Sequence, residues 1–201
     1  MRLSPRVLMV AAVLLLLPGA TGLSFPEDAP AKPPGVRGDI IAAIEDARGK
    51  LLELAEAMPA NKYAWRPGKG VRSVGEVYQH VAQANYLLPT LIGIKAPEDL
   101  KLRDLDKQVM DKEHTIRLLK QSFDHATEAV RNTPDADLEK TVRIFDHDGT
   151  TREVLLALVT HAHEHLGQSI AYARTNAIVP PWTARTEAEQ AAKIKAPAKA
   201  K

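Results

Sequence analysis

The stretch Leu155-Leu156-Ala157-Leu158-Val159-Thr160-His161-Ala162-His163-Glu164-His165-Leu166-Gly167-Gln168 puts three histidines into five positions of an otherwise apolar run. Its secondary structure decides where they point. On a strand, all three imidazoles of H-x-H-x-H would share one side, whereas a helix turning about 100° per residue separates them. Helix is the reading the surroundings support. Residues 152 to 175 contain no proline and a single glycine, Leu and Ala dominate, and the apolar content runs on well past the length of an ordinary strand. Thr150-Thr151-Arg152-Glu153 has the form of a capping box just ahead of the run. On such a helix His161 and His165 lie about 40° apart and His163 points roughly 200° away. Val154, Leu158, Gln168 and Tyr172 fall on the His161/His165 side, so that pair is expected to face the core and His163 the solvent.

The remainder of the 201 residues supports a helical domain around this segment. A hydrophobic content of 45% is enough for one core, and aromatics make up only 4%. Leu, Ala, Glu and Lys carry most of the chain, which favours a helix bundle over a sandwich. Residues 1 to 22 read as a secretory signal: Arg2 and Arg6, an apolar run from Val7 to Leu17, then the small residues Ala20-Thr21-Gly22. That run is short for a membrane span, so an exported (periplasmic or secreted) protein is expected, with no stable membrane insertion once the signal is removed. An uncleaved N-terminal anchor is the alternative. The chain has no cysteine, hence no disulfide, no thiolate ligand and no lipid-bearing cysteine.

The formal charge of +2 comes from Arg2 and Arg6. Without them the basic and acidic side chains balance, and the tail from Thr183 onward holds five basic against two acidic residues. Residues 23 to 182 are therefore slightly acidic, which argues against a nucleic-acid partner.

Residues 23 to 38, with Pro26, Pro30, Pro33 and Pro34, read as a linker. A first helix is expected from about Asp39 to Met58, closed by Pro59. The capping box Ser73-Val74-Gly75-Glu76 opens a second, which continues to about Gly93 and is kinked or shortened by Pro89. Val77, His80, Ala84, Leu87 and Leu91 share one face of it. A charged connection over residues 94 to 108 leads to a third helix from about Val109 to Asn132, burying Ile116, Leu119, Phe123, Ala126 and Val130. Thr141 to Phe145 could be extended before a turn at Asp146-His147-Asp148-Gly149. Residues 183 to 201, rich in Ala, Lys and Glu with no apolar face, are expected to be disordered. These features predict an all-α fold, a four-helix bundle over residues 39 to 182.

Two imidazoles at i and i+4 can converge on one metal ion, and a third from a neighbouring helix completes a three-nitrogen face with open coordination positions. His161, His165 and His80 fit that arrangement. The competing reading is a hydrogen-bonded core histidine at 80 and a chance i,i+4 pair. His125 is a weaker substitute, while His147 and His163 read as solvated.

Val77-Tyr78-Gln79-His80-Val81-Ala82-Gln83-Ala84-Asn85-Tyr86 and His161-Ala162-His163-Glu164-His165-Leu166-Gly167-Gln168 resemble the second-helix signature and the H-x-x-x-H-x-G-Q signature of the DinB/YfiT-like family. The ending Tyr172 to Pro181 is similar to one branch of it. The match spans about residues 38 to 182. It implies a four-helix bundle whose three histidines, here His80, His161 and His165, bind a divalent metal, usually zinc or nickel. Relatives often pair through bundle faces, which makes a homodimer one candidate and leaves the oligomeric state open. Some members use a low-molecular-weight thiol for transfer or isomerisation; this chain departs from them in having Leu166 where the family often has arginine, and in its expected export. The sequence thus points to an exported metal-dependent hydrolase or transferase acting on an unidentified small molecule, or to a non-catalytic protein holding metal or a small ligand. Glu76 and Glu164 are the candidate general bases, each equally readable as a surface charge.

Overall fold

The computed structural model describes residues 35–195 except residue 109. The expected signal, most of the expected linker and the last six residues of the tail lie outside the described residues. Among those described, no helix is long and apolar enough to cross a membrane.

Four long helices form the core: α1 (Gly35–Ala57), α2 (Val74–Thr90), α3 (Lys112–Asn132) and α4 (Thr151–Thr175). Two short strands, β1 (Thr141–Ile144) and β2 (His147–Thr150), and a last helix, α5 (Pro181–Lys195), complete the chain. In the bundle α1 packs on α3 and α4, and α2 packs on the same two. The consecutive helices α2 and α3 are thus neighbours, whereas the other two consecutive pairs, α1 with α2 and α3 with α4, sit on diagonals. Their connections have to cross the ends of the bundle. What matters for function is that α2 and α4, which carry the histidines, are neighbours.

The core is filled from the apolar faces the periodicity picks out and from positions beside them, Leu54, Val81 and Leu155, while Leu87 and Leu91 of the expected second-helix face are only partly buried. Ile44, Leu51, Leu54 and Met58 of the first segment, Val77 and Val81 of the second, Leu119, Phe123 and Val130 of the third, and Val154, Leu155 and Leu158 of the fourth are buried. Ile116 is partly buried against the same cluster.

The start of α2 shows how the connection from α1 is held. The first amides of a helix have no partner inside it. Here Val74 N–H donates to the Trp65 carbonyl at 3.0 Å and Gly75 N–H to the Tyr63 carbonyl at 2.9 Å. Glu76 N–H donates to Ser73 Oγ at 3.3 Å, and the Glu76 carboxylate accepts from Ser73 N–H at 2.7 Å, which completes the expected capping box. A Cβ on Gly75 would lie 3.3 Å from the Tyr63 ring, so glycine permits this close approach. The connection, with a single 3₁₀ turn at Ala60–Lys62, is thereby fastened to the helix it precedes.

Several boundaries differ from expectation. Helix α1 begins at Gly35, so residues 35 to 38 belong to it rather than to a linker. Helix α2 stops at Thr90, one residue after Pro89, and α3 starts at Lys112, where Asp111 accepts from His114 N–H as N-cap. The charged connection between them contains a 3₁₀ helix, Leu102–Lys107. The turn expected over residues 146 to 149 is instead the two residues Phe145 and Asp146, and Gly149 pairs with Val142 in the hairpin. At α4 only half of the expected capping box forms. Thr150 accepts from Glu153 N–H, but the Glu153 carboxylate turns to His147 at 3.3 Å.

The expectation of disorder from residue 183 is wrong as far as Lys195. Absence of an apolar face was outweighed by helix formers, by Pro181 at the first helical position and by two anchors. Trp182 packs on the core, and Arg185 makes a forked pair with Glu53 at 2.9 and 3.1 Å.

Candidate metal centre

His80 sits midway along α2, and His161 and His165 lie one turn apart on α4. Because the two helices are neighbours, the three rings meet. Their centroids are 4.4 to 5.0 Å apart, and one ligating atom from each lies within 4.8 Å of the others. His165 is buried at 8% exposure, while His80 and His161 are partly buried. The remaining histidines stay away. His163 is exposed on the opposite side of α4 with Nδ1 against the Val159 carbonyl, His125 packs tilted against Tyr86 at 5.1 Å, His114 is exposed beside Asp111, and His147 lies on the hairpin.

Hydrogen bonds set which nitrogen each ring presents. Gln168 Nε2 donates to Tyr172 Oη at 2.9 Å, so its Oε1 is the acceptor that faces His165 Nδ1 at 2.8 Å. Gln83 repeats the device: its Nε2 donates to the Leu102 carbonyl and its Oε1 faces His80 Nδ1 at 3.3 Å. Both histidines must then carry the proton on Nδ1, which leaves Nε2 as a bare acceptor. His161 Nε2 lies 3.2 Å from His80 Nε2, and its Nδ1 is buried without a partner.

Proton competition is weak at this site. Burial, then the neighbouring imidazoles of His165 and His80 and the Arg72 guanidinium, lower the pKa of His161 to about 3. Burial is also the main cause that lowers His80, helped by Arg72 and His165 and opposed by Gln83 and Asp106. The donor set suits a divalent cation. Two nitrogens each about 2.0–2.1 Å from a tetrahedral ion are separated by roughly 3.3 Å, close to the 3.2 Å between His80 and His161. Neutral imidazoles with Nδ1 held by an amide oxygen are the form in which histidine ligates.

Three participants, Asp106, Arg72 and Gln83, are not among the residues the sequence singled out. Asp106, in the 3₁₀ helix, has Oδ2 3.7 Å from His80 Nδ1 and 3.0 Å from Arg72 Nη2. Arg72 precedes the α2 cap, and its carbonyl accepts from Tyr172 Oη at 3.1 Å. Neither residue belongs to a periodic segment, so no spacing rule reaches them. Gln83 could have been found, because His80-x-x-Gln83 and His165-x-x-Gln168 repeat one relation on two helices. The candidate bases do not join the cluster: Glu76 is held by Ser73 and by Arg66 at 2.7 Å, and Glu164 is exposed.

Comparison with known proteins bears on the fold. A DinB-like protein from Bacillus cereus ATCC 10987 superposes with a TM-score of 0.64 at 17% identity, covering 73% of this chain and 95% of the other. A conserved protein from Enterococcus faecalis gives 0.61 at 16% identity, covering 71% and 97%. YfiT from Bacillus subtilis, described as a probable metal-dependent hydrolase with an unusual four-helix bundle topology, gives 0.57 at 19% identity, covering 76% and 95%. At these identities the likeness is one of fold. No protein of curated function matches the chain in sequence. The sequence model of the DinB superfamily matches residues 43–169, which hold α2, α3, most of α1 and of α4, and all three clustered histidines. The chain belongs to the DinB superfamily.

Proposed function

We propose that the protein is a metal-dependent hydrolase or group transferase whose divalent ion, zinc or nickel, is held by His80, His161 and His165. The observation that carries this reading is the convergence of three imidazole nitrogens within 4.8 Å from two neighbouring helices. Likeness in fold to YfiT supports it. A divalent ion bound there would activate water or polarise a substrate heteroatom. The chain's own part is preparatory: Gln83 and Gln168 hold two rings in the ligating tautomer, and burial keeps protons off His161 and His80. Three protein ligands leave coordination positions for water or substrate, as in catalytic rather than structural sites.

Elemental analysis of protein purified without a histidine tag tests the reading. About one equivalent of metal is expected, His161→Ala should abolish it and His163→Ala should leave it intact. Metal below about a tenth of an equivalent, not restored by added zinc or nickel, removes the proposal. A non-catalytic role in holding metal or a small ligand is favoured by one observation, that neither Glu76 nor Glu164 reaches the histidines. Turnover of ester, amide and thiol-transfer substrates with and without chelator separates the two. We place the activity outside the cytosol on the strength of residues 1 to 22; intact mass of the mature protein checks that placement.

A further inference from the structure

Arg72 stands on the rim of the histidine cluster with its backbone fixed and its side chain half free. Three hydrogen bonds tie its carbonyl to the cluster, running from His165 Nδ1 to Gln168 Oε1 at 2.8 Å, from Gln168 Nε2 to Tyr172 Oη at 2.9 Å, and from Tyr172 Oη to the Arg72 carbonyl at 3.1 Å. The Tyr172 ring is itself braced edge-on by Trp65 at 5.4 Å. A residue held this way cannot drift from the centre. Its side chain, by contrast, is 42% exposed.

The Arg72–Asp106 pair is lopsided. Nε and Nη2 both reach one oxygen, Oδ2, at 3.3 and 3.0 Å, and Nη1 has no partner among the described residues. Guanidinium prefers a carboxylate or phosphate that offers two oxygens to its parallel N–H groups. An arginine side chain 42% exposed and paired to a single carboxylate oxygen lacks the second bond of a fork-to-fork pair. The fork is thus placed to accept an oxyanion, either on its open edge or in exchange for Asp106. Asp106 is only 12% exposed and the same Oδ2 lies 3.7 Å from His80 Nδ1, so it can keep that neighbour when Arg72 turns away.

Charge agrees. Glu76 is paired with Arg66 away from the histidines and Asp106 is balanced by Arg72, so a divalent ion would leave the centre positive. A low-dielectric positive site attracts anions. We infer that Arg72 recognises the carboxylate or phosphate group of the small molecule that reaches the histidine centre, with Asp106 as its partner in the free protein. The inference rests on the metal-centre reading for what the anion is delivered to, but not for anion binding itself.

Acetate and orthophosphate, titrated calorimetrically into the full chain both zinc-loaded and chelator-treated, test it. Arg72→Gln should raise the dissociation constant of the preferred probe at least tenfold, while Asp106→Asn should lower it about threefold. Lys69→Gln removes the same charge from the same connection and should change it less than twofold. A preference for phosphate or for acetate names the anion class. The inference is overturned if Arg72→Gln binds within twofold of wild type, if Lys69→Gln weakens binding as much as Arg72→Gln, or if neither probe binds wild type. Zinc stoichiometry is measured in parallel. Loss of zinc binding with Arg72-dependent anion binding intact in the chelator-treated protein rejects the metal reading and leaves this one standing.

Discussion

At the scale of single residues, Gln168 and Gln83 orient the histidines they touch. An imidazole whose Nδ1 proton is held by an amide oxygen presents Nε2 in one orientation, and loss of such a partner typically weakens metal binding about 10- to 100-fold. Gln168→Leu should therefore weaken zinc affinity by about that factor with the fold intact. A chromophoric-chelator competition, paired with far-UV circular dichroism, checks it. Because His165 is buried and Gln168 also anchors Tyr172, the effect should exceed that of Gln83→Leu at the more exposed His80. The opposite ranking would mean that burial, not the hydrogen bond, orients His165.

At the scale of elements, the connections place the chemistry. The α1–α2 connection is fastened to α2 by carbonyls of Tyr63 and Trp65 and by the Ser73/Glu76 box, and it delivers Arg72. Replacing Ser73 by Ala removes an N-cap acceptor, an effect usually worth about 1 kcal/mol. Ser73→Ala should lower unfolding free energy by about that amount in denaturant titration, with little change in zinc stoichiometry. Since Arg72 is also held through its carbonyl by Tyr172, anion affinity should fall less than in Arg72→Gln. The α2–α3 connection is placed differently: Leu105 is buried with Tyr86, Ala82 and Leu118 in a small second cluster, and Asp106 follows it to the site. This anchor explains how a segment that reads as a charged linker supplies a site residue.

At the scale of the whole molecule, burying the His161 and His80 imidazoles couples stability to pH. The pKa of His161 falls to about 3 in the folded protein, below its ordinary value of 6.5, so between these values the unfolded chain binds more protons. Its contribution to stability is complete above pH 6.5 and is lost as pH falls from there towards 3. His80 and His125, lowered mainly by burial, act in the same sense. His147, raised by Glu153 and Asp146, acts oppositely, but it is fully exposed and contributes little. Metal-free protein should therefore show a denaturation midpoint that drops between pH 7 and pH 5, and His161→Gln should flatten the slope. An equal slope in that variant would show that the acid sensitivity arises elsewhere.

Helical phase, the core faces, the α2 cap and the separation of His163 from His161 and His165 were determined by local sequence, because a 3.6-residue period shows directly which side chains share a face. The pairing of His80 with the other two could be named from its apolar setting but was realised only by packing, since periodicity does not say which helix is whose neighbour. The diagonal order of α1 with α2, the arrival of Asp106 and Arg72 at the rim, and the docking of α5 through Trp182 and Arg185 belong to the tertiary structure alone. These depend on contacts between residues far apart in the chain, many in connections without period, and on a balance between helix propensity and burial that local sequence leaves open.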